Sequence, residues 1–284
     1  MNVKLQPHQW TGCHSEYGNL QQVIVCEPKY MAIKEVINDV QKQYASENIN
    51  QFRAMKQHQD FVRTLQVEGV QVIKVPAKQD FPEQVFTRDI GFTVGNNVFI
   101  SNMASDVRDG EEEMLRKWLG MNGYAYKRME SGHVEGGDVI VDGKRVFVGV
   151  SNRTSRDAIT NLQNELPTHD VIAIPFNPKY LHLDCVFNIL SPTDALIFRD
   201  AMDEKTIELL SKYYRLIDVE ADEQFSMGTN VLSIGGNRVI SLPVNPKVNA
   251  SMSEAGYRVI EVDLSEIIKS GGSFRCCTMP LTRK

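Results

Sequence analysis

The 284-residue chain is 42% hydrophobic and carries a formal charge of −5, from 31 Lys and Arg against 36 Asp and Glu. That is a globular composition with enough apolar content for a full core, and with no basic run longer than two residues it argues against nucleic acid as a partner. No apolar stretch reaches the roughly 18 residues of a membrane span, and the opening residues 1–6 lack a signal-peptide hydrophobic region, so a cytoplasmic protein with no membrane partner is expected.

In chain order, a lone apolar strand over residues 20–25 and another over 71–75 precede a series of hairpins. Gly95-Asn96-Asn97 separates 92–94 from 98–100, Asp142-Gly143 separates 139–141 from 146–148, and Gly235-Gly236-Asn237 separates 231–232 from 239–240. These turns tolerate positive φ. The stretch 191–194 does the same work less tightly before a strand over 195–198. Helical segments such as 111–119 and 157–166 follow the hairpins, and then come strands over 125–129 (the weakest), 170–174, 215–219 and 258–262. The unit reads ββαβ.

Asp89, Asp138, Asp184 and Asn230 open the successive hairpins, 49, 46 and 46 residues apart, and a further 46 residues leads to Cys276. A period near fifty residues marks a circular or stacked array. The leftover N-terminal strand closes it as a ring in which the N- and C-terminal strands share one blade, so residues 1–284 are expected to form a single domain. Polar residues at equivalent hairpin entrances would then converge near the axis, where carboxylates are costly without a cation.

Five motifs stand at these places. Phe86-Thr87-Arg88-Asp89 taken alone reads as a turn aspartate beside a solvated arginine. Glu135-Gly136-Gly137-Asp138 sets two acids around glycines that let backbone approach something closely. In His182-Leu183-Asp184, residues i and i+2 of a strand would share a face, which suits a proton shuttle beside a cation-binding carboxylate, whereas Cys185 would face the core. Arg153, in Gly149-Val150-Ser151-Asn152-Arg153-Thr154, could hold a substrate carboxylate by a bidentate pair, with Thr154 or Ser155 as an ordinary helix cap. In Arg275-Cys276-Cys277-Thr278, strand alternation would turn only one thiol inward, and the period selects Cys276. Its thiol pKa, roughly 8.5 when free, must fall or the proton must leave as a cationic substrate arrives.

A metal site is the competing assembly, since His133, Glu135, Asp138, His182, Asp184 and Cys276 are all ligand types. No HExxH or paired-cysteine spacing supports it. Cys13, Cys26, Cys185, Cys276 and Cys277 form an odd set without CxxC spacing, which points to free thiols and not to a disulfide framework.

Together and in this order the motifs resemble the amidinotransferase or guanidine-modifying enzyme superfamily, which includes arginine deiminase, dimethylarginine dimethylaminohydrolase and glycine amidinotransferase. The resemblance spans about residues 17–281. It implies an α/β fold, the five-bladed α/β propeller of ββαβ repeats called the pentein fold. It also implies a small-molecule guanidino substrate, no cofactor and no metal. By motif, Cys276 resembles the nucleophile and His182 the general acid/base; Asp89, Glu135 and Asp184 resemble the carboxylates that grip or orient the guanidinium, and Arg153 an arginine that contacts the amino-acid carboxylate. Asp138 and Asn230 match family positions and are held as structural. The expected reaction is hydrolysis through a cysteine thiouronium, giving a ureido compound such as citrulline plus ammonia or an alkylamine. Transfer of the amidino group to an amine and a non-catalytic binding propeller are the alternatives; Glu135 weighs against transfer, because transferases of the family tend to carry Asp there. Chain length favours a methylated arginine, whereas Asp184 favours an unsubstituted guanidinium. The oligomeric state stays open, a homo-oligomer included.

Overall fold

Turn chemistry sets the repeat. In the computed structural model, which describes residues 9–129 and 131–284, Gly95, Gly143 and Gly236 hold φ values of 54°, 61° and 60°, and Asn237 holds 56°. This left-handed backbone closes a hairpin tightly, and glycine and asparagine adopt it at the least steric cost. The turn at 191–194 has no positive φ. There the Ser191 hydroxyl accepts from the backbone N–H of Thr193 at 3.2 Å and of Asp194 at 3.0 Å instead.

Each hairpin gains a third strand parallel to its second, after a helix that makes the crossover a parallel pair requires. Gly91–Val94, Asn97–Ile100 and Lys127–Arg128 form one sheet, with Glu111–Met121 as its crossover helix. Val139–Asp142, Arg145–Val150 and Asp170–Pro175 form the next around Arg156–Glu165. Phe187–Ile189, Asp194–Ile197 and Arg215–Asp218 follow around Glu204–Ser211, then Leu232–Gly235, Arg238–Ser241 and Arg258–Glu261 around Pro246–Glu254. Leu20–Cys26 pairs antiparallel with Met279–Arg283 and parallel with Gln71–Val75, so the two ends of the chain share a blade. Among the described residues the strands make five three-stranded sheets, the five-bladed α/β propeller that the resemblance implies.

Burial follows position in the blade. Val139–Asp142 is buried at every residue, whereas the third strand of the same sheet, Asp170–Pro175, has exposed ends and mostly half-buried residues between them. First strands are buried along their whole length, polar residues such as Thr93, Asn188 and Ser233 included, whereas third strands meet the helices and solvent. Helix starts carry the expected caps: the Ser155 hydroxyl accepts from Ala158 N at 3.3 Å, and the Asp203 carboxylate from Thr206 N at 2.8 Å. No helix among the described residues is long and apolar enough to cross a membrane. The opening residues 1–6, read above for a leader, lie outside the described residues.

Three local expectations are corrected. Only Lys127–Arg128 of the strand expected over 125–129 pairs with its neighbour. His182, Leu183 and Asp184 do not lie along a strand: Leu183–Cys185 is a turn of 3₁₀ helix, as is Gly136–Asp138. Cys276 and Cys277 also sit in a helical turn, closed by Cys277 N to Ser273 O at 2.9 Å and Thr278 N to Arg275 O at 3.1 Å. At each place the chain leaves the ring centre and swings into the first strand of a blade. A single helical turn makes that change of direction, which an extended segment could not.

Candidate active site

The hairpin entrances do converge. Asp89, Glu135, Asp138, His182, Asp184, Asn230 and Cys276 are all at most 3% exposed, and Arg153 is 7% exposed. The glycines of the Glu135-Gly136-Gly137-Asp138 motif make part of this possible. A Cβ on Gly137 would lie 2.6 Å from His182 Nδ1 and 2.8 Å from Asp89 Oδ1, so only glycine lets backbone from one blade reach side chains of two others.

His182 is bracketed by acids. Its Nε2 lies 2.8 Å from Glu135 Oε2, and its Nδ1 lies 3.6 Å from Asp89 Oδ1. Burial opposes a charged imidazole, but Asp89, Glu135 and Asp138 outweigh it and push the pKa up to about 9. Burial likewise works against an ionised Glu135, yet His182, Arg153 and Arg108 hold its pKa down to about 2. Both Glu135 oxygens are also 3.3 Å from Arg153 Nη1, and Ala104 N donates to Oε1 at 3.2 Å. Asp138 anchors the next blade: it accepts from Leu183 N, beside His182, at 2.8 Å and from the Ser151 hydroxyl at 2.6 Å. Burial raises its pKa to about 6 despite these bonds.

The thiol of Cys276 lies 3.6 Å from Asp184 Oδ2 and 3.1 Å from Asn230 Nδ2. Burial, then the charges of Asp184 and Asp89, raise its pKa well above the ordinary thiol value. The resting state thus pairs a neutral thiol with a protonated imidazole. Cys277 has no exposed surface and belongs to an apolar cluster with Phe61 and Phe274.

Several charged side chains escaped the sequence reading. Arg88 is 3% exposed, not solvated, and its Nε donates to Thr278 O at 3.1 Å. Arg108 donates to Asp89 Oδ2 at 2.5 Å and to Glu111 at 2.8 Å. Arg275 donates to Asp184 Oδ2 at 2.7 Å, so the acid expected to grip a guanidinium already holds one from the chain. Arg88 and Arg275 each precede a hairpin-entrance residue by one position, but Arg108 stands outside the period and carries no spacing signal. Asp89 Oδ1 and His182 Nδ1, by contrast, have no hydrogen-bond partner among the described residues.

Asp89, Glu135 and His182 each offer an atom within 4.8 Å of the others, an arrangement that would receive a cation. His133, Asp138, Asp184 and Cys276 of the competing metal set stand outside that group. With His182 Nε2 bonded to Glu135, the open atoms are His182 Nδ1 and Asp89 Oδ1, two donors where a structural zinc takes four. Two cavities adjoin the centre. One of about 180 Å³ is lined by Asn38, Leu181, Cys185 and Gly271, and one of about 80 Å³ by Asn38, Leu181 and Arg153.

Similarity agrees with this geometry. The chain is 50% identical to the uncharacterized protein YkgA of Bacillus subtilis (strain 168) over all of its own length and 99% of that protein. It is 28% identical to N(G),N(G)-dimethylarginine dimethylaminohydrolase of Mycobacterium tuberculosis (strain ATCC 25618 / H37Rv), covering 89% of this chain and 83% of the relative. The crystal structure of the N-terminal domain of ArgZ, a cyanobacterial arginine dihydrolase solved as a cysteine-to-serine mutant bound to substrate, superimposes with a TM-score of 0.84 at 25% identity. That match covers 92% of this chain and 98% of the other. Residues 27–283 match the family described as N,N dimethylarginine dimethylhydrolase, eukaryotic. The chain belongs to that family, and through it to the guanidine-modifying superfamily that its motifs resemble.

Proposed function

We propose that this protein hydrolyses a C–N bond at the guanidino carbon of an arginine-type amino acid, with Cys276 as nucleophile and His182 as general acid and base. The observation that carries the reading is the bracketed imidazole. A charged His182 between Glu135 and Asp89, with one Asp89 oxygen unpartnered, lies in the same buried centre as a thiol whose proton is held by burial and acidic neighbours.

A planar guanidinium entering this centre adds positive charge beside the acids, and it lowers the cost of the Cys276 thiolate. The Cys276 thiol releases its proton to solvent and the sulfur attacks the central carbon, while Asp89 Oδ1 accepts from the N–H groups of the substrate. His182 then donates its proton to the departing ammonia or amine. Water attacks the thiouronium, His182 takes one water proton, and the C–S bond breaks as the other passes to the sulfur, leaving a ureido product and the starting thiol. Guanidinium and water go to urea and ammonium, so protons balance over the cycle. No cofactor or metal enters this sequence. Arg153, between Glu135 and the smaller cavity, is placed to meet the carboxylate of the substrate.

Asp184 selects the unsubstituted guanidinium. Its Oδ2, already bonded to Arg275, lies beside the sulfur, where N–H groups of the substrate add a hydrogen bond to the buried carboxylate and methyl groups cannot. Family membership supports the methylated substrate as a second reading. Arginine, monomethylarginine, dimethylarginine, agmatine and guanidinoacetate, assayed for ureido product, ammonia and alkylamine, separate the two. Turnover of arginine above dimethylarginine is expected; silence across the panel, with and without an amine acceptor, would sink the enzymatic reading. Activity should survive a chelator, and a loss reversed by zinc would revive the metal site.

A further inference from the structure

Ahead of the strand Leu20–Cys26, residues 11–19 run across three blades, that strand's own and the two that follow it. Gly12, Cys13 and Ser15 form isolated bridges to Thr282, Gly95 and Asp142, and Glu16 N donates to Val141 O at 2.9 Å. This path places the Glu16 side chain in the interior, 5% exposed. Its Oε1 accepts from Arg275 Nη2 at 3.2 Å and from Val141 N at 3.3 Å, and its Oε2 lies 3.5 Å from Arg88 Nη2. The other terminal nitrogen of Arg275, Nη1, donates to Asp184 Oδ2 at 2.7 Å, the same oxygen that lies 3.6 Å from the Cys276 sulfur. One buried guanidinium is therefore divided between two acids. One faces the thiol, and the other comes from a segment outside every repeat.

We infer that Glu16 is a positioning residue of the active site, drawing Arg275 away from Asp184 so that Asp184 keeps the negative charge that attracts a cationic substrate to Cys276. The inference rests on the reading of Cys276 and Asp184 given above. In a buried, weakly screened setting, charges this close govern one another strongly. Burial opposes the Glu16 charge, but Arg275, Arg88 and Arg283 hold its pKa down to about 2, so the charge is constant over the working pH range. Without it, the whole cation of Arg275 would face Asp184. The sulfur would then feel a weaker negative field from Asp184, while Asp89, Cys185, Cys277 and the Asn230 amide stayed as they are.

The test reads the thiol directly. Cys276 alkylation by iodoacetamide is followed against pH, with the adduct located by mass spectrometry, in the wild-type protein and in Glu16→Gln. The midpoint should move to lower pH by about one unit, and KM for a cationic guanidino substrate should rise about tenfold with a smaller change in kcat. A role confined to folding would lower the melting temperature and leave the midpoint where it was. If Glu16→Gln does not fold, Glu16→Asp decides: it keeps the charge but withdraws it from Arg275 by one methylene, so a smaller shift in the same direction is expected. An unmoved midpoint in the folded variant overturns the inference. Alkylation needs no turnover, so a shifted midpoint in a protein silent on every guanidino compound would overturn the substrate reading while supporting this one.

Discussion

The side-chain amide of Asn230 donates to the sulfur of Cys276 across 3.1 Å, and its orientation is set by the backbone around it. Asn230 Oδ1 accepts from the N–H groups of Ser273 and Cys276, both at 3.2 Å, so the nitrogen must be the atom that faces the thiol. The residue read as structural from sequence thus touches the reacting atom. Replacing it with aspartate keeps the oxygen toward the backbone and turns a second oxygen on the sulfur. Asn230→Asp should lower kcat/KM by about 100-fold, in line with loss of one preorganised donor, and should move Cys276 alkylation to higher pH. An unchanged alkylation profile would return Asn230 to a purely structural role.

Cys276→Ala should abolish turnover on the substrate panel and Cys277→Ala should spare most of it, because the Cys276 thiol meets Asp184 and Asn230 whereas Cys277, in the same apolar cluster, has no exposed surface. Filling of the Cys277 site by alanine leaves a small void, so a modest drop in melting temperature is expected there. Loss of activity in Cys277→Ala with Cys276→Ala active would reverse the assignment.

His182 links activity to pH. Its folded-state pKa of about 9 lies above the ordinary value of 6.5, so folding binds its proton more tightly. The stability it contributes is complete below about 6.5 and is lost as pH rises through about 9. The acid needed by the leaving group disappears over the same upper range, so kcat/KM should decline toward and above pH 9. His182→Gln should lower kcat by about 10² to 10⁴ and flatten the fall in stability measured by denaturant titration over that window. A wild-type rate that keeps rising beyond about pH 10, well past the folded-state value, would argue against a protonated His182 as the acid.

Arg153 can act on the substrate carboxylate, on Glu135, or on both. Agmatine, which has no carboxylate, separates these roles. If the carboxylate contact operates, Arg153→Met should raise KM for arginine about 10- to 100-fold, the loss expected of a bidentate charge pair, and change agmatine kinetics little. Equal losses on both compounds would assign Arg153 to holding Glu135 alone, through the 3.3 Å contacts.

The repeat was legible because each blade must bury its first two strands, turn tightly and cross over, and those demands leave apolar runs, positive-φ residues and a regular spacing in any chain that meets them. Asp89, Asp138, Asp184, Asn230 and Cys276 stood out through that spacing alone. What the spacing could not supply was direction. Strand alternation implied that only one of Cys276 and Cys277 faces inward and grouped His182 with Asp184, and both places are helical turns.

Amino-acid order by itself determined the ββαβ unit, its fivefold recurrence, the pairing of the chain ends in one blade and the identity of the acids and thiol at the hairpin entrances. Only the tertiary structure decided their charge states and partners: Arg275 on Asp184, Arg108 on Asp89, the Asn230 amide on the sulfur, and Glu16 brought in from outside the repeat. Local pattern records what one segment must do to form its own element, whereas the field at a buried group sums over side chains from every blade that meets it.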